Sequence, residues 1–149
     1  MRLTPRELKF ILDDAGARWL MTSGRFRGTV EACADPDRPH RWISNAYIDS
    51  YDQLFRMGWT HSFESYLGDE LVGGLYGVRI GGFFAGEAMF HRATDASKVA
   101  LVALVDWLRS TRAVLLDVQW QTDHLASLGT VEISRDEYLD LLADALTAT

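Results

Sequence analysis

Between His61 and Phe90 three apolar, strand-like runs follow one another with almost no chain between them, and that crowding decides the architecture. His61–Tyr66, Leu71–Ile80 and Phe83–Phe90 are separated only by Leu67-Gly68-Asp69-Glu70 and by Gly81-Gly82. Connections so short close hairpins and leave no length for a crossover, so the stretch is expected to form a three-stranded antiparallel meander. A sheet of this kind needs helices to cover its apolar faces.

Helical spacing appears on both flanks. Upstream, Thr4-Pro5-Arg6-Glu7 is a capping box with proline at the first helical position, followed by a stripe of Leu8, Ile11 and Leu12. Residues 17–22 read as a strand, Phe26 to Ala34 as a helix stopped by Asp35-Pro36, and residues 34–41 as a polar loop. Ser44 then caps a helix in which Tyr47, Ile48, Tyr51, Leu54 and Phe55 recur at helical spacing until Gly58, a residue suited to the C′ position. Downstream, Thr94 or Asp95 caps a helix carrying Val99, Leu101, Val102, Leu104, Val105 and Leu108, and Ala113–Gln119 reads as a buried strand. Thr122 or Asp123 caps a short helix ending at Gly129, Thr130–Ile133 is expected as an edge strand, and Ser134-Arg135-Asp136-Glu137 opens a last helix with Tyr138, Leu141, Leu142 and Ala145. Helices around a mainly antiparallel central sheet make an α+β domain, in effect an α/β three-layer arrangement. With 149 residues and 48% hydrophobic composition, one domain over residues 1–149 is expected.

Several function classes are disfavoured. There is no charged-then-apolar leader and no apolar run of the ~18 residues a bilayer crossing needs, so a cytoplasmic protein without a membrane partner is expected. Cys33, the single cysteine, has no second thiol for a disulfide or a thiol metal pair and reads as a small buried hydrophobe. The net charge of −6 argues against nonspecific nucleic-acid binding; residues 1–41 nevertheless carry a surplus of two positive charges against a deficit of eight in residues 42–149, so any RNA contact is expected in the first third. Gly73, Gly74, Gly77, Gly81 and Gly82 lie in and between strands and lack the strand-to-helix layout of a phosphate loop, and no metal-ligand spacing links His61, His91 and His124. No cofactor is expected. His61 and Ser62 are adjacent on a strand and point apart, which removes a hydrolase triad with Glu64. The tryptophans are expected mostly in the core, with Trp42, beside the basic loop, available to stack on a base.

Two places carry polar groups where apolar ones would be expected. In FFAGEAMF, Glu87 stands among aromatic and small residues with no basic neighbour until His91-Arg92; in AVLLDVQW, Asp117 and Gln119 interrupt a strand two positions apart and are expected on one side of it. An ionised carboxylate buried alone costs several kcal/mol, so each needs a partner or a task. The residues fit a pocket at strand ends in which two carboxylates and an amide serve as base or as ammonium partner. They also fit a purely structural arrangement, with Asp117 accepting helix N-terminal amides and Glu87 paired with Arg79 or Arg92.

Trp42-Ile43, Gly58-Trp59-Thr60-His61-Ser62, Glu64, Leu71–Val78, Gly86–Phe90, Ala96–Leu101, Asp117-Val118-Gln119 and His124–Gly129 agree in order and spacing with a known family. Across residues 18–142 the chain resembles the bacterial leucyl/phenylalanyl-tRNA–protein transferases. The resemblance implies a fold similar to the GCN5-related N-acyltransferases. It also implies transfer of leucine or phenylalanine from the 3′ end of aminoacyl-tRNA to the N-terminal amine of a protein beginning with Arg or Lys, which marks the acceptor for N-end rule degradation. Carried over by position, the family's Asp-x-Gln pair falls on Asp117 and Gln119 and its site glutamate on Glu87, while Trp42, Phe84 and Met89 hold the donor's terminal adenosine and side chain, with Leu75 adding to the apolar wall. The serines usual after that glutamate and after the following phenylalanine are here Ala88 and His91. Family members usually carry a further N-terminal domain, so a short form is expected. Two alternatives stay open: a noncatalytic binder of basic protein N-termini, and an acyltransferase of the same fold that uses a smaller donor such as an acyl-CoA.

Overall fold

In a computed structural model of the chain, the structure describes residues 18–20, 25–35, 37 and 42–148. The helix expected after Thr4 lies outside the described residues. The meander is present as β2 (Thr60–Leu67), β3 (Glu70–Ile80) and β4 (Phe83–His91), each antiparallel to the next. β1 (Arg18–Leu20) pairs antiparallel with β2, and β5 (Leu115–Asp117) pairs parallel with β4, giving the sheet order β1-β2-β3-β4-β5. A parallel neighbour requires a crossover, and the helix between β4 and β5 supplies it.

Helices cover both faces. α1 (Phe26–Cys33) and α2 (Asn45–Arg56) bury Phe26, Val30, Cys33 and Ile48 against Tyr76 and Phe90 on one side of the sheet. α3 (Ala96–Ser110) buries Ala100, Ala103, Leu104 and Leu108 against Phe63, Leu75 and Phe84 on the other. α4 (Asp123–Ser127) and α5 (Arg135–Thr147) follow β5, and the Gly82 amide donates to the Ala145 carbonyl at 2.8 Å, pinning the end of α5 to the β3–β4 turn. The three-layer α+β architecture is as expected. Among the described residues no helix is long and apolar enough to cross a membrane.

Local signals account for most boundaries. Ser44 Oγ accepts the Tyr47 amide at 3.2 Å to start α2. At its end Gly58 has φ of +81°, its amide reaches the Phe55 carbonyl at 2.9 Å, and Trp59 reaches Leu54 at 2.9 Å. That is the Schellman arrangement, which favours glycine at C′. Ser134 and Thr122 cap α5 and α4 through the Glu137 and Leu125 amides, each at 3.2 Å. Asp95 occupies the cap of α3 with φ of +60°, but its carboxylate pairs with Lys98 at 2.5 Å and makes no cap bond.

Three expectations need correction. Thr130–Ile133 forms no strand: β5 is only three residues long, and 130–133 passes as a loop with the Thr130 carbonyl accepting from Gln121 Nε2 at 2.9 Å. Trp42, Trp59 and Trp120 are 49%, 43% and 79% exposed, whereas Trp107 packs against the core. Strand β5 also ends at Asp117, two residues short of Gln119.

The faces of β2 separate as alternation demands. His61 lies against Trp107 of α3, ring centroids 4.9 Å apart, while Ser62 turns to the α1 side. There Glu64 is fully buried and accepts from Thr29 Oγ1 and Ser62 Oγ, both at 2.9 Å, and from the Tyr66 hydroxyl at 3.0 Å. Those bonds compensate the burial of a carboxylate and tie α1 to the sheet.

Candidate active site

Glu87 owes its position to a break in the β3–β4 ladder. Tyr76 pairs with Ala88 and Gly77 with Gly86, so Glu87 is the extra residue of a β-bulge. A bulge re-aims a side chain out of the regular alternation. Gly77 makes the bulge possible, because a Cβ there would overlap the Ala85 carbonyl and the Phe84 ring. The Glu87 carboxylate accepts from the Tyr47 hydroxyl of α2 at 3.4 Å. Neither expected arginine partner reaches it: Arg79 is bonded to Gly81 and Thr111 and lies over Trp107, and Arg92 is bonded to the Leu71 carbonyl over Phe90.

Tyr47 belongs to a row of rings. It stacks on Tyr51 one helical turn later, centroids 4.2 Å apart, and Trp42 meets it edge-on at 5.0 Å. Burial pushes the Tyr47 and Tyr51 phenols above their ordinary range, and the Glu87 carboxylate adds to both shifts. Both therefore stay protonated as donors facing that carboxylate.

Beyond Ala85, paired with Asp117, β4 and β5 have no further pairing, and an open cavity of about 170 Å³ lies where they part. It is lined by Glu87, Leu75, Met89, Leu101, Leu116 and Val118, among others. Of the expected donor-binding residues, Leu75 and Met89 stand in its wall, Phe84 is fully buried in the core behind them, and Trp42 is reached through Tyr47 outside it.

Asp117 and Gln119 open elsewhere. They line a larger neighbouring cavity of about 660 Å³ with Trp120, Thr130, Tyr138 and Leu141, and the two spaces share Leu101, Leu116 and Val118 as walls. Hence Glu87 and Asp117 lie on adjoining strands, with Gln119 just beyond the end of β5, but they face adjoining cavities, not one. The strand reading also fails for the pair itself. Gln119 has φ of +63°, and the Trp120 amide donates to the Val118 carbonyl at 2.7 Å, which makes Gln119 the centre of a γ-turn. With the strand pairing finished at Asp117, nothing holds Gln119 extended. The Asp117 carboxylate spans this turn, Oδ1 accepting the Gln119 amide at 2.7 Å and Oδ2 the Tyr138 hydroxyl at 2.8 Å. No helix N-terminus supplies those donors. The sequence reading missed Tyr47 and Tyr138, since both sit at ordinary helical spacing; only the isolated carboxylates hinted that donors from elsewhere would be needed.

Comparisons with known proteins agree with this frame. The profile of a family described as leucyl/phenylalanyl-tRNA protein transferase matches residues 5–143. A curated leucyl/phenylalanyl-tRNA–protein transferase from Anaeromyxobacter sp. (strain K) is 46% identical over 145 residues, covering 95% of this chain and 62% of that protein. Those from Herpetosiphon aurantiacus and Zymomonas mobilis are 52% identical over 121 residues and 47% over 134, covering 81% and 88% of this chain and 62% and 50% of theirs. The chain thus spans about half to just under two thirds of these relatives. Among solved structures, a GNAT family acetyltransferase from Brucella melitensis in complex with acetyl-CoA superposes with a TM-score of 0.61 at 13% identity, covering 78% of this chain and 83% of that one. AAC(6')-Iy with a bisubstrate analogue gives 0.56 at 13%, covering 80% and 93%. At such identities the likeness establishes the fold alone, that of the GCN5-related N-acyltransferases.

Proposed function

The chain belongs to the leucyl/phenylalanyl-tRNA–protein transferase family, and from that membership we propose that it moves leucine or phenylalanine from aminoacyl-tRNA to the N-terminal amine of a protein beginning with Arg or Lys. In this reading the product is marked for N-end rule degradation in the cytoplasm. The observation that carries the proposal is the bulged Glu87, a carboxylate that neither Arg79 nor Arg92 reaches, lining a small apolar cavity next to the Asp117–Gln119 turn.

The reaction is ester aminolysis. A neutral acceptor amine attacks the ester carbonyl carbon, a tetrahedral oxyanion forms, the bond to the ribose oxygen breaks, and that oxygen leaves with the proton the amine gives up. The exposure of Gln119 in its turn supports a role for its carboxamide as donor to the oxyanion, with Asp117 holding the turn and orienting the amine. Glu87 attracts a cationic group, the donor's α-ammonium or the acceptor's basic side chain. Leu75 and Met89 form the wall against the Leu or Phe side chain, worth ~1.5–3 kcal/mol when fully buried. Phe84 supports that wall from the core, and Trp42, half exposed beside Tyr47, is the surface for the terminal adenine.

Purified chain mixed with Leu-tRNA or Phe-tRNA and an Arg-initiated peptide is expected to yield the peptide extended by one residue. Absence of product at high protein concentration, with a full-length relative active alongside, overturns the reading. A binder of basic N-termini without turnover is the second reading, favoured by the separation of the Glu87 cavity from Asp117 and Gln119. Peptide binding that survives Gln119→Ala, with no transfer from any donor, selects it.

A further inference from the structure

We propose that Tyr138 is a positioning residue of this site: its hydroxyl fixes the Asp117 carboxylate so that Gln119 is kept in its turn. The inference rests on the aminoacyl-transfer reading only for the purpose that the turn serves.

A residue other than glycine at φ of +63° in a γ-turn is strained and persists only where neighbours over-determine it. Asp117 is the neighbour that does so, through the 2.7 Å bond to the Gln119 amide. A carboxylate at the end of a three-residue edge strand is itself free to rotate unless its other oxygen is held. Tyr138 holds it at 2.8 Å. The phenol is in turn well placed to be rigid, because α5 is fixed at its start by the Ser134 cap and near its end by the Gly82–Ala145 bond. Burial and the Asp117 carboxylate both push the Tyr138 phenol upward, so it remains a protonated donor at neutral pH. Tyr138 touches no reacting atom in this scheme and acts only through Asp117.

The test uses Tyr138→Phe, Asp117→Asn and the double variant in the full 149-residue chain. Tyr138→Phe is expected to lower kcat about tenfold while leaving KM for peptide and tRNA within about twofold, the pattern of a lost transition-state arrangement. On the Asp117→Asn background the same change is expected to cost almost nothing more, since groups acting as one unit are not additive. Losses that multiply, or an unchanged kcat, overturn the proposal. A second readout needs no activity: hydrogen exchange at the Gln119 amide is expected to quicken about tenfold in Tyr138→Phe while amides in β3 keep their protection. Unchanged exchange at Gln119, or lost protection across the whole sheet, refutes the positioning role even if transfer occurs. Faster exchange confined to the turn in a parent that transfers nothing upholds it and sinks only the activity.

Discussion

The Tyr47 hydroxyl lies 3.4 Å from Oε2 of Glu87 and itself accepts the Tyr76 hydroxyl at 3.4 Å. A helix thus reaches across forty residues of sequence to steady a carboxylate that a β-bulge has thrown out of register. Tyr47→Phe keeps the stack on Tyr51 and removes both the donor to Glu87 and the acceptor of the Tyr76 hydroxyl. At so long a distance the bond to Glu87 is expected to be worth about 1 kcal/mol, or roughly a fivefold rise in KM for an Arg-initiated peptide, and the unfolding midpoint falls as well because the buried Tyr76 hydroxyl loses its acceptor. Steady-state kinetics with peptide as the varied substrate measure it. An unchanged KM would show that Glu87 needs no support from α2.

Glu64 illustrates the opposite use of a carboxylate, burial with every oxygen engaged. Glu64→Leu leaves the hydroxyls of Thr29, Ser62 and Tyr66 facing an apolar side chain. The expected loss is about 3 kcal/mol or more, because several buried donors lose their acceptor at once. Urea unfolding of the variant and its parent gives the number, and a loss below about 1 kcal/mol would mean the hydroxyls find water or one another.

His61 makes stability depend on pH. Burial against Trp107, and secondarily the Arg79 guanidinium, lowers its pKa in the folded state. The unfolded chain then binds the proton more readily than the folded one. This contribution to stability is intact above the ordinary imidazole pKa of ~6.5 and is lost as pH falls from there to the depressed folded value. His61→Gln is expected to flatten that part of the curve. Urea midpoints of the two proteins across this range are the measurement, and parallel curves would refute the assignment.

How much of this was legible in the sequence depends on whether the cause was local. Ser44 and Gly58 bracket α2 because capping and the C′ conformation are decided within a few residues, and the meander is implied by loops too short for anything else. Glu64 was half legible: Ser62, Glu64 and Tyr66 alternate, which predicts a shared face, but Thr29 arrives from another element. The turn at Gln119 was not legible. A period-two reading extends a strand as long as residues alternate, whereas β5 stops where its partner β4 bulges, a tertiary event at Gly86 and Glu87. Tyr138 was hidden for a similar reason, since a tyrosine in an amphipathic stripe looks like packing until its hydroxyl is seen to meet Asp117.

On the proposed reading, the size of the cavity beside Glu87 sets which donor side chain is accepted. A space of about 150 Å³ suffices for a benzene ring, so the roughly 170 Å³ beside Glu87 matches one phenyl group with little to spare. Val118 is the residue to change, because it forms part of this wall, lies beyond the last paired residue of β5 and is only partly buried. A larger side chain there intrudes on the cavity without overfilling the core between the sheet and α3. Val118→Phe is therefore expected to depress phenylalanyl transfer more than leucyl transfer, shifting the ratio of kcat/KM for the two donors by about 10-fold or more, the scale on which apolar pockets discriminate by size. Competition between Leu-tRNA and Phe-tRNA for one peptide reads the ratio directly. Equal losses for both would place the donor side chain outside the cavity lined by Leu75, Met89 and Val118, and the larger space beside Tyr138 and Leu141 would then be the one to alter next.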